Sequence, residues 1–309
     1  MPSEPPKPLT LSERLANIRQ ANNTSLPAAA EDASTREFVF CVADFERVRK
    51  LIYDKAGISL SPAKQDMVYS RLARRLRATG MKSFKQYLDH LEFSRGAAEW
   101  EGFVNALTTN LTSFFREPHH FPVLSQHLRA VAEKRKQISI WCCAASTGEE
   151  PYSIAITAAD AFPAGGPQIS VLCSDLDTSV LATAEKGVYA PDRVDKIPPE
   201  QLKRYFNKSA TPEGNVYGVK PELRQMLSFR RINLLDPAWP VRGPLDVIFC
   251  RNVMIYFDKP TQYKILARFA PMLQPDGLLF AGHSESFLHA ADLFHSLGKT
   301  VYALAARRG

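Results

Sequence analysis

Apolar residues recur at helical spacing in the first third of the chain. Four helices are predicted in this way, with apolar positions within Phe45–Ile52, Met67–Leu76, Phe84–Leu91 and Trp100–Leu107. Gly57 and Gly80 follow the first two, where glycine readily closes a helix. The pattern predicts a small helical domain over residues 37–110. A mobile tail rich in Pro, Ala and Ser is expected before it, over residues 1–36.

The rest of the chain alternates short apolar, β-branched runs with helical segments. Five runs predict strands: Ile138–Cys142, Ile169–Cys173, Leu245–Cys250, Leu278–Ala281 and Lys299–Leu304. This alternation is typical of a doubly wound α/β fold, a mostly parallel sheet with helices on both faces. We therefore predict a second domain over residues 111–309. Within it, residues 189–229 predict an inserted antiparallel β-subdomain, with strands near Val216–Val219 and Met226–Arg230.

The composition narrows the class of protein. The chain has 309 residues, 45% hydrophobic and 23% charged, which is ordinary for a globular protein. No apolar run approaches the roughly 18 residues that a membrane-spanning helix needs. The five cysteines form no C-x-x-C pair, and four of them lie in apolar runs. They indicate buried, reduced thiols rather than disulfides or zinc ligands, so we expect a cytoplasmic protein.

The net charge of +7 has a marked contribution from the second predicted helix and its flanks. Between residues 64 and 85, Asp66 is the one acid among the basic residues Lys64, Arg71, Arg74, Arg75, Arg77, Lys82 and Lys85. Such a run is typical either of a solvated helix face or of a docking surface for an acidic partner, whether nucleic acid or an acidic protein helix. The candidate docking residues are Arg71, Arg74, Arg75 and Arg77.

The turn after the first strand is the candidate cofactor loop, because doubly wound folds bind ligands at the carboxyl ends of their strands. It consists of small residues from Ala144 to Gly148 and is not G-x-G-x-x-G, which counts against a pyrophosphate cofactor. Glu149 and Glu150 suit either a cationic ligand or simply the positive end of the following helix. Asp175 ends the second strand, where this architecture places a ribose-binding acid. Together these features favour an adenosine ligand without a diphosphate, such as S-adenosylmethionine.

Polar residues at the domain junction and after the third strand complete the candidate site. Asn110 and Thr112 lie near Arg116, which suits either the anchoring of a ligand carboxylate or helix capping with a surface arginine. The run Cys250–Phe257 places an arginine, an asparagine and a tyrosine just past a buried strand. His119–His120 would point about 100° apart on a helix, and no carboxylate at ligand spacing is recognised beside them. We therefore expect no metal.

Six segments taken together strongly resemble the CheR family of chemotaxis receptor methyltransferases. They are Thr109–Glu117, Ala145–Ser153, Ser174–Asp177, Asn233–Leu235, Phe249–Asp258 and Leu279–Glu285. The resemblance covers about residues 38–305 and implies methyl transfer from S-adenosylmethionine to glutamates on the cytoplasmic coiled coil of a chemotaxis receptor.

The resemblance also implies roles for particular residues. Arg116 and Tyr256 correspond to polar groups that line the methyl-transfer site. The implied cofactor contacts are Asn110, Thr112, Arg116, Glu150, Asp175, Asn233, Leu234, Arg251 and Asn252. The basic second helix resembles a receptor-docking helix, and the insertion resembles a β-subdomain that grips a receptor C-terminal peptide in some members. The single glycine within residues 208–214, and Gly218 in place of an expected basic residue, count against such a peptide tether.

Two other functions share some of these features. The positive charge and the arginine-rich helix also suit a nucleic-acid methyltransferase, although no base-flipping or amine-activating motif is recognised. A signalling module that binds S-adenosylmethionine without catalysis has the same cofactor features. A dehydrogenase is disfavoured because the glycine fingerprint is missing.

Overall fold

The structure, a computed structural model, describes residues 36–93 and 97–306. The contacts divide the chain into two units, Met1–Val39 and Phe40–Gly309, and every element below lies in the second. The predicted mobile tail over residues 1–36 lies outside the described residues except for its last position.

All four predicted N-terminal helices are present. They are α1 (Val42–Ala56), α2 (Gln65–Thr79), α3 (Phe84–Phe93) and α4 (Ala97–Leu107). Their apolar positions are buried, as at Val48, Leu72 and Leu88. Gly57 and Gly80 follow α1 and α2 with φ of 67° and 70°, the left-handed conformation that ends a helix.

The rest of the chain alternates helices and strands. In chain order the elements are α5 (His120–Ala132), β1 (Gln137–Cys142), α6 (Glu149–Ala161), β2 (Gln168–Asp175), α7 (Thr178–Lys186), β3 (Val188–Tyr189), α8 (Pro199–Tyr205), β4 (Phe206–Thr211), β5 (Gly214–Val219), α9 (Pro221–Arg224), β6 (Leu227–Arg231), β7 (Leu245–Cys250), α10 (Lys259–Phe269), β8 (Leu273–Ala281), β9 (Phe294–Gly298) and β10 (Val301–Leu304). Seven strands form one sheet in the order β6-β2-β1-β7-β8-β10-β9. The first five in this order run parallel, and β10 is antiparallel to both of its neighbours.

Both faces of the sheet are buried, because alternate residues of a strand point to opposite sides. On one face Ile140 and Cys142 pack in a cluster with Leu128 of α5 and with α6. On the other face Trp141 packs against Phe269 of α10, with ring centroids 5.4 Å apart. The predicted doubly wound, mostly parallel sheet is confirmed.

Of the two strands predicted for the insertion, only the one near Val216–Val219 lies in its small sheet, as β5, whereas β3 and β4 were not predicted. β3, β4 and β5 form the small antiparallel sheet, in the order β3-β5-β4. The predicted strand near Met226–Arg230 is not part of it, because β6 pairs in parallel with β2 at the edge of the large sheet. Leu227 and Phe229 of this strand pack against the core clusters on that side, which favours its place in the large sheet.

The last hairpin also contains a strand that the sequence pattern does not reveal. β9 pairs antiparallel with β10, and of its five residues only Phe294 is buried. Within the described ranges, no helix is both long and apolar enough to cross a membrane.

Burial predicts the effect of truncating α10. Leu266 is fully buried in the core cluster, so Leu266→Ala is expected to lower the free energy of unfolding by about 2–5 kcal/mol. The same change at Leu297, which is 55% exposed on β9, is expected to cost under about 0.5 kcal/mol. Urea unfolding measures both values. Equal losses at the two positions would contradict the assigned core.

Candidate active site

One cavity lies at the carboxyl ends of β1, β2 and β7, with a volume of about 900 Å³ including the space open to solvent. All ten residues predicted for the cofactor and methyl-transfer sites line it: Asn110, Thr112, Arg116, Glu150, Asp175, Asn233, Leu234, Arg251, Asn252 and Tyr256. Residues from distant parts of the sequence therefore meet in one space, as expected when parallel strands end at the same edge of a sheet.

The cofactor loop turns sharply between β1 and α6. Gly148 has a φ of 100°, and a Cβ there would lie 2.5 Å from Tyr189 Oη and 2.9 Å from Ala184 Cβ. Only glycine fits this position without displacing its neighbours. The backbone N–H of Ser146 donates to Asp175 Oδ2 at 2.8 Å, so the loop is fixed to the end of β2.

Two backbone N–H groups hold the Asp175 carboxylate in position. Its Oδ1 accepts the N–H of Asp177 at 3.0 Å, in addition to the contact from Ser146. Burial raises the pKa of Asp175, and these backbone hydrogen bonds act against the rise. The carboxylate lines the cavity, where it can accept further donors from a ligand.

The two glutamates at the start of α6 serve different purposes. Glu149 is fully buried and pairs with Arg193, whose Nε donates to Oε1 at 2.9 Å. Arg193 belongs to the insertion, so this ion pair connects the insertion to the cofactor loop. Glu150 turns toward the cavity instead. The pair therefore does not act as one acidic patch toward a ligand.

Arg251 is buried between two carboxylates. Its Nη1 donates to Glu150 Oε2 at 2.8 Å, and its Nη2 lies 3.2 Å from Glu117 Oε2. Nη2 also donates to the carbonyl of Arg116 at 2.5 Å. Burial raises the pKa of Glu150, and the charge of Arg251 acts against this.

Glu117 is a participant that sequence reasoning missed. Its Oε1 accepts the backbone N–H of His283 at 3.1 Å and the Asn252 amide at 3.3 Å. Burial alone would raise the pKa of Glu117, but Arg251 and these donors outweigh it and lower the pKa to about 2. Glu117 is therefore ionised at neutral pH. The sequence could have indicated it, because Glu117 follows Arg116 directly within the family segment Thr109–Glu117.

Asp177 is a second residue that the sequence did not single out. Its Oδ2 accepts the Asn110 amide at 2.8 Å and the Thr108 hydroxyl at 3.2 Å. Its Oδ1 accepts the N–H of Ser179, which caps α7. One carboxylate thus holds the Asn110 side chain at the cavity and begins a helix.

The helical part of the molecule contributes directly to the cavity wall. Ala56, the last residue of α1, and Ile58, just after it, line the cavity. The Asn233 amide donates to the carbonyl of Lys55 at 3.1 Å. The backbone N–H of Ser59 donates to the carbonyl of Tyr256 at 2.9 Å. The cavity therefore lies between the helices and the sheet.

The remaining predicted residues line the same space. Arg116 is half-buried, and its Nη1 donates to the carbonyl of Leu111 at 2.8 Å. Tyr256 ends a short 3₁₀ helix, Met254–Tyr256, that follows Asn252. Leu234 is buried and supplies apolar surface.

The four arginines of α2 do not form one outward face. Arg71 donates to the carbonyl of Thr108 at 2.6 Å, and Arg75 pairs with Glu99 of α4 at 2.7 Å. Both connect α2 to the adjoining chain within the same helical part. Arg74 and Arg77 are exposed. Helical spacing shows which residues share a face but not which partners fold against it, and receptor docking through these four arginines remains a prediction.

The two adjacent histidines are accompanied by a carboxylate after all. Glu117, His119 and His120 offer ligand atoms within 4.8 Å of one another, so the expectation that no carboxylate at ligand spacing accompanies the histidines is wrong. Arg251 already pairs with Glu117, so a cation here would lie close to a guanidinium. That no metal is bound remains a prediction.

The cysteines match the expectation of free, mostly buried thiols. Cys142, Cys143, Cys173 and Cys250 are buried, Cys41 is exposed, and all five are free. Burial raises the pKa of Cys142, so this thiol is protonated at neutral pH.

His120 predicts an acid-sensitive fold. Burial and the nearby Arg251 lower its pKa from 6.5 to about 4, while Nε2 contacts the carbonyl of Lys299 at 2.8 Å. Between these values the unfolded chain binds a proton that the folded chain rejects, so stability falls as the pH falls. From pH 7 to pH 5 this residue is expected to account for a loss of about 2 kcal/mol.

His120→Gln keeps an amide donor near Lys299 but does not titrate. Urea unfolding at pH 7 and pH 5 is expected to show a smaller difference for this variant than for the wild type. Part of the dependence should remain, because His127 and His289 also have lowered pKa values. An unchanged difference would show that His120 does not carry the effect.

Comparison with known proteins agrees with the site. The family model for the CheR methyltransferase SAM binding domain matches residues 110–303, and the model for the CheR methyltransferase all-alpha domain matches residues 43–108. A chemotaxis protein methyltransferase of Salmonella typhimurium is 51% identical over 271 residues, which are 88% of this chain and 93% of that protein. Chemotaxis protein methyltransferase 2 of Pseudomonas aeruginosa is 50% identical over 270 residues, 87% of this chain and 96% of that one. The chain therefore belongs to the CheR family of S-adenosylmethionine-dependent chemotaxis protein methyltransferases.

Proposed function

We propose that the methyl group is transferred to glutamate side chains on the cytoplasmic helices of a chemotaxis receptor, with glutamyl methyl esters and S-adenosylhomocysteine as products. The observation that carries this proposal is the single cavity that Asp175, Arg116 and Tyr256 share. It combines a place for an adenosine cofactor with a cationic group that suits an anionic substrate. We further propose that the enzyme acts in the cytoplasm, on the part of the receptor that lies there.

The chemistry of the cavity wall fits S-adenosylmethionine. Asp175, at the end of β2, is the proposed acceptor for ribose hydroxyls. Leu234 and Ile58 offer apolar surface for the adenine ring. The Nε of Arg251 is buried and has no hydrogen-bond partner within the described part of the chain. The other proposed contacts are Asn110, Thr112, Arg116, Glu150, Asn233 and Asn252.

The proposed reaction needs no general base. A glutamate side chain has an ordinary pKa near 4.3, so its carboxylate is already the nucleophile at neutral pH. When bound, the cofactor supplies a methyl group on a positively charged sulfur. One carboxylate oxygen forms the new C–O bond as the C–S bond breaks. The electron pair of the C–S bond remains on sulfur. A negative and a positive charge are consumed together, which a poorly solvated cavity favours.

The protein therefore contributes mainly orientation. Arg116 is proposed to orient a carboxylate through charge-assisted hydrogen bonds, and its contact with Leu111 fixes the guanidinium. Tyr256 is proposed to shape the path of the methyl group. Its backbone carbonyl is held by Ser59, so the loop that carries it is fixed to the helical part.

Receptor docking is proposed for the exposed side of α2. Arg74 and Arg77 carry positive charge there, and the partner is expected to be an acidic methylation helix. Arg71 and Arg75 are proposed to hold the helix in place rather than to touch the receptor. Nucleic acid is not the proposed partner, because the relatives in this family are chemotaxis protein methyltransferases, for which a receptor protein is the expected substrate.

Capture of a receptor C-terminal peptide by the small sheet remains an open alternative. Among the described strands β4 pairs only with β5, so its other edge suits an added strand. A Cβ at Gly218 would meet no atom closer than 4.0 Å, so there is room for the side chain that is missing here. The single glycine in residues 208–214 still counts against tethering.

Methyl transfer to receptor membranes tests the proposed function. The enzyme is incubated with S-adenosylmethionine labelled in the methyl group and with receptor-containing membranes, and the labelled receptor is then treated with base. Volatile methanol is expected, because methyl esters are hydrolysed by base, whereas methylated amines are stable. Base-stable label, or transfer to RNA instead of receptor, would contradict the proposal.

Arg116→Ala is expected to lower kcat/KM for receptor methylation by about 10- to 100-fold, the effect of losing one charge-assisted hydrogen bond. Arg129→Ala removes an exposed arginine from α5 and serves as the matched control. Initial rates with labelled cofactor measure both. Near-wild-type transfer by Arg116→Ala would show that Arg116 does not orient the reactants.

Arg74→Glu is expected to raise KM for the receptor several-fold at low ionic strength, with kcat unchanged, because the change affects association alone. The increase should diminish at high salt, where exposed charges are screened. Arg129→Glu makes the same change in net charge on α5. If both variants raise KM equally, the effect reports net charge rather than a docking surface on α2.

A further inference from the structure

Glu285 is a buried carboxylate that lies outside the cavity wall. It is 4% exposed and follows β8, and it is absent from the residues that line the cavity. Burial raises its pKa, against the effect of several backbone donors. Because it lies outside the cavity wall, its contacts are explained within the fold.

Both oxygens of Glu285 accept backbone N–H groups. Oε2 accepts the N–H of Asn252 at 3.0 Å and that of Gly282 at 2.5 Å. Oε1 accepts the N–H of Met254 at 2.8 Å and that of Ile255 at 3.3 Å. One side chain therefore satisfies four donors, three of which belong to the segment between β7 and α10.

These donors need an acceptor, because of the backbone shape of that segment. Asn252 has a φ of 59°, which takes the chain out of strand geometry directly after β7. The N–H groups at the start of the 3₁₀ helix Met254–Tyr256 have no partner within that helix. Without an acceptor, these donors would leave the segment less stable in this conformation.

The end of β8 packs directly against the segment that follows β7, so Glu285 can fix the position of that segment. A Cβ at Gly282 would lie 2.3 Å from Asn252 Nδ2 and 2.8 Å from its backbone nitrogen. Gly282 thus allows the end of β8 to lie directly against Asn252, and Glu285 joins the two by accepting from both. The carboxylate fixes the segment from one side, while Glu117 holds the Asn252 amide from the other.

We propose that Glu285 is a positioning residue for methyl transfer, which acts by holding Asn252 and Tyr256 in the cavity wall. This inference rests on the roles proposed above for those two residues. Glu285 touches no reactant. It fixes the backbone from which the reactant-facing side chains project.

Glu285→Gln separates this role from simple packing. Glutamine has nearly the same shape, but one of its two terminal groups is a donor, so one pair of N–H groups loses its acceptor. Hydrogen exchange of the backbone amides of residues 252–256 is expected to become at least tenfold faster. At saturating cofactor and receptor, kcat is expected to fall at least tenfold.

Asp246→Asn provides the matched control. Asp246 is also buried, and it accepts the N–H of Ser139 at 2.8 Å and a hydrogen bond from Arg135 at 2.9 Å. It lies at the start of β7, away from the cavity wall. This variant is expected to lose stability but to keep kcat within about twofold and exchange at residues 252–256 unchanged.

Unchanged exchange and unchanged kcat in Glu285→Gln would overturn the inference. Equal losses of kcat in both variants would overturn it as well, since the effect would then follow stability alone. If Glu285→Gln does not fold, Glu285→Asp, which keeps both acceptors on a shorter side chain, is expected to show an intermediate loss of kcat and protection. Failure of the wild-type enzyme to methylate receptor would contradict the proposed function itself, whereas the exchange measurement does not depend on catalysis.

Discussion

The guanidinium of Arg251 is buried between the carboxylates of Glu150 and Glu117, and the shape of the cavity depends on this arrangement. Three charges in a buried position are costly unless each is paired and hydrogen-bonded. Arg251 joins the end of β7 to the start of α6 and to the segment before α5. Three of the stretches of chain at the cavity wall are therefore held together by one side chain.

This arrangement suits a reaction between a cation and an anion. Because Arg251 compensates the buried carboxylates, the wall need not present a strong net charge of either sign to an incoming ligand. A cationic cofactor and an anionic glutamate can then be accommodated side by side. The insertion is connected to the same region through Arg193 and the buried Glu149, so a partner bound there would contact an element that touches the cofactor loop.

Much of the fold and of the site could be predicted, because both follow from patterns within short stretches of sequence. Apolar periodicity identified the four N-terminal helices and four of the parallel strands, β1, β2, β7 and β8. The family segments identified ten residues that line one cavity. Family membership, the methyltransferase activity and the cofactor were predicted correctly from the same segments. In each case the signal lay within a short stretch of sequence.

What the sequence did not reveal depends on partners that lie far apart in the chain. The sequence does not distinguish Glu149 from Glu150, because the ion pair between Glu149 and Arg193 joins residues far apart in the chain. Helical spacing does not distinguish Arg71 from Arg74, but in the structure Arg71 donates to the carbonyl of Thr108, after α4. β6 was assigned to the wrong sheet, because a short strand carries no mark of which neighbour it pairs with.

The stability of variants of Arg251 tests the central claim most directly. Arg251→Met leaves two buried carboxylates without a counter-charge and is expected to lower the free energy of unfolding by about 3–5 kcal/mol. The triple variant Glu117→Gln/Glu150→Gln/Arg251→Met removes those charges as well, so urea unfolding should show it to be more stable than Arg251→Met alone. If the triple variant is instead less stable than the single one, the three side chains contribute independently, and Arg251 does not organise the cavity by compensating the two carboxylates.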